Sequence, residues 1–374
     1  MTAKPAESAD MPLGEILSGV RVGIAGSLGH ARGRDRVSAR IAEHLLTAGA
    51  EVIGLRDGNL GEEALPPLAS VDEFPVSEEG LRRWLARRRP DALIFNEQRQ
   101  WPAGQWKGED LVRAAAAAGV PCFGFLVWER VFPDRLGQLS PYRAVLAAHS
   151  VFDEMLSAAG IPTIPFRWGW RAPPPKPALP PDAAIEALHV SGTGGAFRRK
   201  GTDRAAEAFL ALAGEPGFRC RITTQRPFRS AYCKRLRGAG IVVEEGNLPR
   251  TRIEALTRAA RVAVLPSRWE GLGLGIVEAL AAGTPVVTTA GPPMSEWVRD
   301  GREGLLVPAT RERQAEIAVA TLETTPEDLA ASLRRLEDRE LLAHLEEGAR
   351  QGGPGRVDPT AAARRLAVGI RRCL

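Results

Sequence analysis

From Arg21 onward, short apolar runs alternate with stretches of helical character. This alternation restricts the chain to parallel sheets covered by helices on both faces. RVGIA at 21–25, EVIGL at 51–55, DALIF at 91–95 and VPCFGFLV at 120–127 read as strands. Between them, DRVSARIAEHLLTAG and SEEGLRRWLARRRP read as helices. The second has Ser77 as N-cap and Glu78 and Glu79 at the positive end of the helix dipole. The pattern continues through RAVLAA and a short helix at 151–159.

The pattern then breaks. RAPPPKPALPPD places six prolines between Pro173 and Pro181, residues that neither continue a helix nor donate to a sheet ladder. Beyond it the alternation restarts with EALHVSG, a helix from about Thr202, and the strands FRCRITT, IVVEE, RVAVLP, TPVVTT and GLLVP. The remainder resolves into helices. GGPG at 352–355 is expected to set off a last one, with Asp358 and Pro359 as N-cap and first residue and Leu366, Ile370 and Leu374 as its apolar stripe. A length of 374 residues is too great for one core by default. The expected division is 1–178, 179–355 and a terminal helix at 356–374.

Hydrophobic residues at 44% and charged residues at 25% exclude disordered, collagenous and coiled-coil descriptions of the whole. No run approaches the roughly 18 apolar residues of a membrane span, and the first residues lack the pattern of an export signal, so the expected location is cytoplasmic. The cysteines, Cys122, Cys220, Cys233 and Cys373, form no CxxC pair and signal neither a zinc site nor a disulfide framework. A net charge of +5 suits an anionic small molecule but is too small to imply a nucleic-acid partner. The chain has five lysines, which makes Lys200 worth noting.

The most informative stretch is 261–308. A strand ends near Leu265, a turn carries Glu270, glycines follow at 271, 273 and 275, and a helix is expected from about Leu274, with Glu278 in or near its first turn. Close-spaced glycines let backbone N–H groups approach a ligand, and a helix N-terminus favours an anion such as phosphate. An ionised glutamate is an acceptor-only group able to take hydrogen bonds from two adjacent sugar hydroxyls. Glu270 and Glu278 flanking such a cradle match a sugar joined through a diphosphate to a nucleoside. The alternative is a glycine-rich turn with two solvated glutamates.

This segment resembles the C-terminal signature of retaining family-4 glycosyltransferases (glycosyl transferases group 1), carried here by Glu270, Glu278, Ala279, Ala281, Gly283, Pro285, Val286 and Val287, then Glu296 and GLLVP. The resemblance is specific over about 185–310 and weaker over the whole chain. It implies a GT-B architecture, two Rossmann-like domains with parallel sheets facing a central cleft. The first would bind the acceptor and the second the nucleotide sugar, and the last helix would cross back to the first. It also implies that Glu270 and the amides of Gly271, Leu272, Gly273 and Leu274 contact donor sugar and phosphate, while Glu278 binds the ribose. The family pattern has an arginine, a spacer and Lys-Gly on the donor diphosphate. Here Lys200 and Gly201 fit, but the arginine position falls on Gly194 or Gly195, leaving Arg198 or Arg199 to supply the second cation.

The loop GSLGHARGRDR after the first strand, with Gly26, Gly29 and His30, is a candidate phosphate or acceptor loop, although G-x-G-x-x-G spacing is absent. Strand ends in open α/β sheets meet ligands, which nominates Asn96, Glu97, Arg99, Trp128 and Glu129 for the acceptor. His149, at a strand end, is assigned to packing. There is no Asp-x-Asp and no ligand cluster at metal spacing, so no metal and no cofactor beyond a UDP- or GDP-type nucleotide sugar is expected. The helix with Arg82, Arg83, Arg87, Arg88 and Arg89 reads as a solvated face, with a weak peripheral membrane contact as the alternative.

The expected activity is transfer of a hexose-type sugar to an acceptor hydroxyl. The alternatives are an epimerase or phosphorylase on the same fold, or a non-catalytic sugar-binding protein. A nicotinamide dehydrogenase is disfavoured because only Asp57 follows the second strand as a ribose partner.

Overall fold

The computed structural model describes residues 10–26, 33–56, 66–73, 75, 77–96, 108–126, 128, 131–170, 176, 179–180, 182–192, 199–313 and 320–374. The chain divides into two compact units, Met1–Gly169 with Pro359–Leu374, and Trp170–Asp358. The first division thus falls at Gly169, ahead of the prolines.

In the first unit, strands β1 (Arg21–Ala25), β2 (Glu51–Arg56), β3 (Ser70–Glu73), β4 (Ala92–Asn96), β5 (Cys122–Phe125), β6 (Ala144–Ala147) and β7 (Thr163–Pro165) form one parallel sheet in the order β3-β2-β1-β4-β5-β6-β7. The apolar runs of β4, β5 and β6 are buried on both faces, as helices on either side require. Between strands lie α1 (Gly33–Thr47), α2 (Glu78–Arg88), α3 (Gly108–Ala117) and α4 (Ser150–Ala158). Helix α2 is built as its sequence reads. Ser77 Oγ accepts from Gly80 N at 3.1 Å, acidic residues open the helix, and basic ones close it. Its arginines are largely engaged with carboxylates: Arg82 with Glu78, Arg83 with Glu79, and Arg88 with Asp72.

The second unit holds β8 (Ile185–Val190), β9 (Phe218–Thr224), β10 (Val242–Glu245), β11 (Val262–Leu265), β12 (Val286–Thr289) and β13 (Gly304–Val307), parallel and ordered β10-β9-β8-β11-β12-β13. Helices α5 (Thr202–Ala211), α6 (Ser230–Gly238), α7 (Arg250–Ala259), α8 (Leu274–Ala281) and the short α9 (Met294–Trp297) connect them. Its main core cluster has Ile222, Phe209, Leu236, Val264, Val287, Leu305 and Leu333 among its members. Lys176, from the proline stretch, reaches into this unit and donates to the Ala260 carbonyl at 2.5 Å, at the C-terminal end of α7.

Two expectations for the later part of the chain fail. The segment after β13 is not all helical. A separate antiparallel hairpin, β14 (Thr310–Arg313) with β15 (Ala320–Glu323), precedes α10 (Pro326–Arg334). Nor does GGPG break the chain, because α11 (Arg339–Arg356) runs through it, with Pro354 inside the helix. Gly353 of this motif, and Gly348 ahead of it, are packing devices. A Cβ on Gly353 would sit 2.5 Å from the Leu280 carbonyl oxygen of α8, and one on Gly348 would sit 2.0 Å from that of Arg302. The chain turns at Val357 and Asp358 instead, and α12 (Pro359–Cys373) joins the first unit. Ala362, Ala363, Leu366, Ala367 and Ile370 form its buried stripe. Gly169 lets it approach closely, since a Cβ there would lie 2.5 Å from Pro359 Cα.

Among the described residues, no helix is long and apolar enough to cross a membrane.

Candidate active site

In each sheet the strand order reverses beside its first strand, and in open α/β sheets ligands bind in the crevice beyond the carboxyl ends at that point. In the second unit the point lies between β8 and β11. Glu270 follows β11, Arg199 and Lys200 precede α5 in the connection from β8, and the chain folds these segments onto each other. Arg268 N donates to the Arg199 carbonyl at 2.8 Å.

Glu270 is buried. Its Oε1 accepts from Lys200 Nζ at 2.5 Å and from Ser267 Oγ at 2.6 Å, and its Oε2 accepts from Arg199 Nη1 at 2.9 Å. Burial acts to raise the Glu270 carboxyl, but the charges of Lys200 and Arg199 and the hydrogen bonds outweigh it and hold it below its ordinary value. Burial, aided by the charge of Arg199, lowers the Lys200 ammonium against the pull of Glu270. The cluster is an ionised carboxylate clamped by two cations and a hydroxyl.

Its geometry is set by backbone that only glycine accepts. Gly201, the N-cap of α5, has φ +62°, and a Cβ there would come 2.0 Å from the Pro266 carbonyl oxygen. Lys200 therefore lies hard against the turn that carries Glu270. Gly273 plays the same part for α8, with φ +64° and the Trp297 indole 3.3 Å from where its Cβ would stand. Helix α8 begins at Leu274 behind Gly273, which brings no side-chain cap; Ile276 N and Val277 N turn back onto the Gly273 carbonyl, and the positive end of the helix ahead of them favours an anion. Glu278 lies on the second turn of that helix rather than the first, half-buried and near enough to Lys200 to raise that ammonium electrostatically.

Beneath the cluster runs a buried relay that sequence reasoning missed. His189, on β8, places Nδ1 2.7 Å from the Val264 carbonyl and Nε2 2.9 Å from Thr202 Oγ1, which is 3.0 Å from Ser191 Oγ. A carbonyl only accepts, so Nδ1 carries the proton, Thr202 donates to Nε2, and the Thr202 oxygen is left to accept from Ser191. Burial lowers His189 to about 4 and keeps it neutral. The relay ties β8, β11 and the start of α5 together under Lys200. Nothing in its spacing announces it, because its members are separated in sequence and join only when the strands pair.

The N-terminal nominations divide. Gly26 directly follows β1 and Asn96 ends β4, at the reversal point of the first sheet. Asn96 is buried and its Nδ2 donates to Ser38 Oγ of α1 at 2.7 Å. A Cβ on Gly26 would meet that oxygen at 2.6 Å. Trp128 is also buried, its ring edge-on to His149 at 4.3 Å between centroids, and His149 Nδ1 caps α4 by accepting from Phe152 N at 3.2 Å. Gly29, His30, Asp57, Glu97, Arg99, Glu129 and Arg198 lie outside the described residues. Among the described residues, no group of three or more His, Cys, Asp or Glu side chains is placed to hold a metal ion.

Residues 188–325 match the family of glycosyl transferases group 1. Over 101 residues the chain is 40% identical to the D-inositol 3-phosphate glycosyltransferase of Geodermatophilus obscurus, covering 26% of this chain and 22% of that protein. Over 167 residues it is 31% identical to the lipopolysaccharide core biosynthesis mannosyltransferase LpsB of Rhizobium meliloti, covering 41% and 46%. The aligned segments thus span less than half of either relative. Among solved structures, Anabaena Alr3699/HepE in complex with UDP and glucose superposes with a TM-score of 0.66 at 16% identity, covering 93% of this chain and 98% of that one. The lipopolysaccharide outer core galactosyltransferase WaaB in its apo form gives 0.67 at 14% identity, covering 95% and 99%. The chain has the GT-B architecture of two Rossmann-like domains, and its second domain carries the group 1 glycosyltransferase segment.

Proposed function

We propose that this chain transfers a hexose-type sugar, with retention at the anomeric carbon, from a nucleoside diphosphate donor of the UDP or GDP type to an acceptor hydroxyl. The observation that carries this reading is the buried Glu270 carboxylate held by Lys200, Arg199 and Ser267 beside the open N-terminus of α8. The group 1 match over 188–325 and the structural neighbour that holds UDP and glucose support it.

Bond cleavage at the anomeric carbon leaves negative charge on the diphosphate and positive charge on the sugar. Lys200, Arg199 and the first amides of α8 are placed to receive the former without reorganising, which is where fixed dipoles and charges act most strongly. Glu270 accepts from sugar hydroxyls and orients the ring, and Glu278 accepts from the ribose diol. The chain's own cations supply the charge that a divalent ion supplies elsewhere, so the reaction is proposed to need no metal.

The test is nucleotide release from UDP-, GDP-, ADP- and dTDP-sugars, with and without candidate acceptors. Wild type is expected to release one nucleotide preferentially, unaffected by a chelator, and Lys200→Ala to lower turnover by about 100-fold or more. Release from no donor, or near-wild-type turnover in Lys200→Ala, overturns the reading. Loss of activity in chelator restored by added divalent ion overturns its metal-free part.

A further inference from the structure

The β14–β15 hairpin forms no part of the six-stranded parallel sheet, yet it is bonded to the loops that build the site. Three attachments define its place. Leu322 N donates to the Arg268 carbonyl at 2.9 Å, in the turn that carries Glu270. The Glu323 carboxylate accepts from Arg268 Nε at 2.7 Å. The Leu322 side chain fills the space at Gly291, where a Cβ would come within 2.6 Å of its Cδ1, in the connection from β12 to the helix whose Trp297 closes on Gly273.

Arg268 links the hairpin to the cations. Its Nη1 and Nη2 donate in parallel to Asp203 Oδ1 and Oδ2 at 2.9 and 2.8 Å, and Asp203 stands in the first turn of α5, next to Lys200–Gly201–Thr202. Its backbone N–H holds the Arg199 carbonyl at 2.8 Å. Arg268 is 6% exposed and its guanidinium fork is spent on two carboxylates from opposite sides, one in α5 and one in the hairpin. A planar fork bonded on two edges fixes direction as well as distance, which an ammonium cannot do.

We propose that Arg268 is a positioning residue and the hairpin a brace of the diphosphate site: the Asp203–Arg268–Glu323 network fixes Arg199 and Lys200 against Glu270, so that diphosphate recognition depends on the hairpin. The inference rests on the reading of Arg199 and Lys200 as diphosphate ligands. Misplacement by about 1 Å is enough to cost of order 100-fold in a preorganised site, which is why a residue placed as a strut has functional weight.

The test is calorimetric binding of UDP, GDP and uridine to wild type, Arg268→Lys and Glu323→Gln, with thermal unfolding and amide exchange of 199–203 measured on the same proteins. Both variants are expected to lose about 10-fold or more in affinity for the diphosphate that wild type binds, to keep their uridine affinity, and to exchange faster at 199–203. Glu323→Gln, on the hairpin itself, keeps the test intact should Arg268→Lys fail to fold. Unchanged diphosphate affinity in variants of a protein whose binding Lys200→Ala abolishes overturns the brace alone. Parallel loss of UDP and uridine binding also overturns it, as general destabilisation. Wild type that binds no nucleoside diphosphate overturns the reading of the site, and the brace with it.

Discussion

Replacing Glu270 by Gln keeps the shape of the side chain and one acceptor oxygen but removes the charge that Lys200 and Arg199 face. A hydrogen bond to an ionised partner contributes about 1.5–3 kcal/mol and a neutral one about 0.5–1.5, so two charge-assisted bonds weakened together cost about 2–3 kcal/mol. The two bonds are those from Lys200 Nζ and Arg199 Nη1, at 2.5 and 2.9 Å onto a buried carboxylate. In a domain of this size each kcal/mol moves the unfolding midpoint by about 2–4 °C, so differential scanning calorimetry at pH 7 is expected to find Glu270→Gln lower by about 4–12 °C. The pH dependence is a stricter check. The folded carboxyl lies below its ordinary value of 4.5, so its contribution is fully present above that value and is lost as pH falls through the lower folded one. The gap between the two proteins must therefore hold from pH 8 to 5 and close in acid. Equal midpoints at pH 7, or a gap that stays open below the carboxylate range, refute the assignment of an ionised Glu270 clamped by two cations.

Glu278→Ala, on the second turn of α8, is expected to weaken nucleoside diphosphate binding by about 10-fold or more in calorimetry, through lost bonds to ribose, with the unfolding midpoint unchanged. Gly201→Ala forces a Cβ into left-handed backbone and onto the Pro266 carbonyl, and should cost at least about 1–2 kcal/mol in urea unfolding. Burial lowers His44, His149 and His189 each to about 4 from 6.5. The unfolded chain therefore takes up protons first as pH falls below 6.5, and stability declines until about pH 4. His149→Asn, which retains a side-chain cap for α4, should flatten that decline by up to about 1.4 kcal/mol per pH unit, and an unaltered acid slope counts against a buried neutral His149.

The parallel sheets were legible because their central strands are buried on both faces and so appear as unbroken apolar runs. The edge strands β3 and β7 were not, since SVDE and TIP are short and half-polar. The hairpin was hidden for a related reason: TRER and ATLE carry no apolar face long enough to declare a strand. GGPG misled because glycine has two uses, and here it admits neighbouring backbone to a continuous helix rather than ending it. In the site, residues announced by local spacing, Glu270, Gly273 and Lys200, stand together, whereas His189, Asp203, Arg268 and Glu323 owe their roles to partners 13 to 75 positions away. Partnerships of that kind are decided by tertiary folding and leave no pattern to read.

The terminal helix has a consequence for how the molecule is made. The first unit is a discontinuous body, closed by a segment that leaves the ribosome after the second unit is complete. Arg364 of α12 donates to the Met11 carbonyl across 353 positions, and the buried stripe of α12 has its place on the same body. Until that segment emerges, an apolar face of the first-made half stands open to water. The portion synthesised first is therefore the last to be sealed, and it is the portion in which a holding chaperone would find its binding surface.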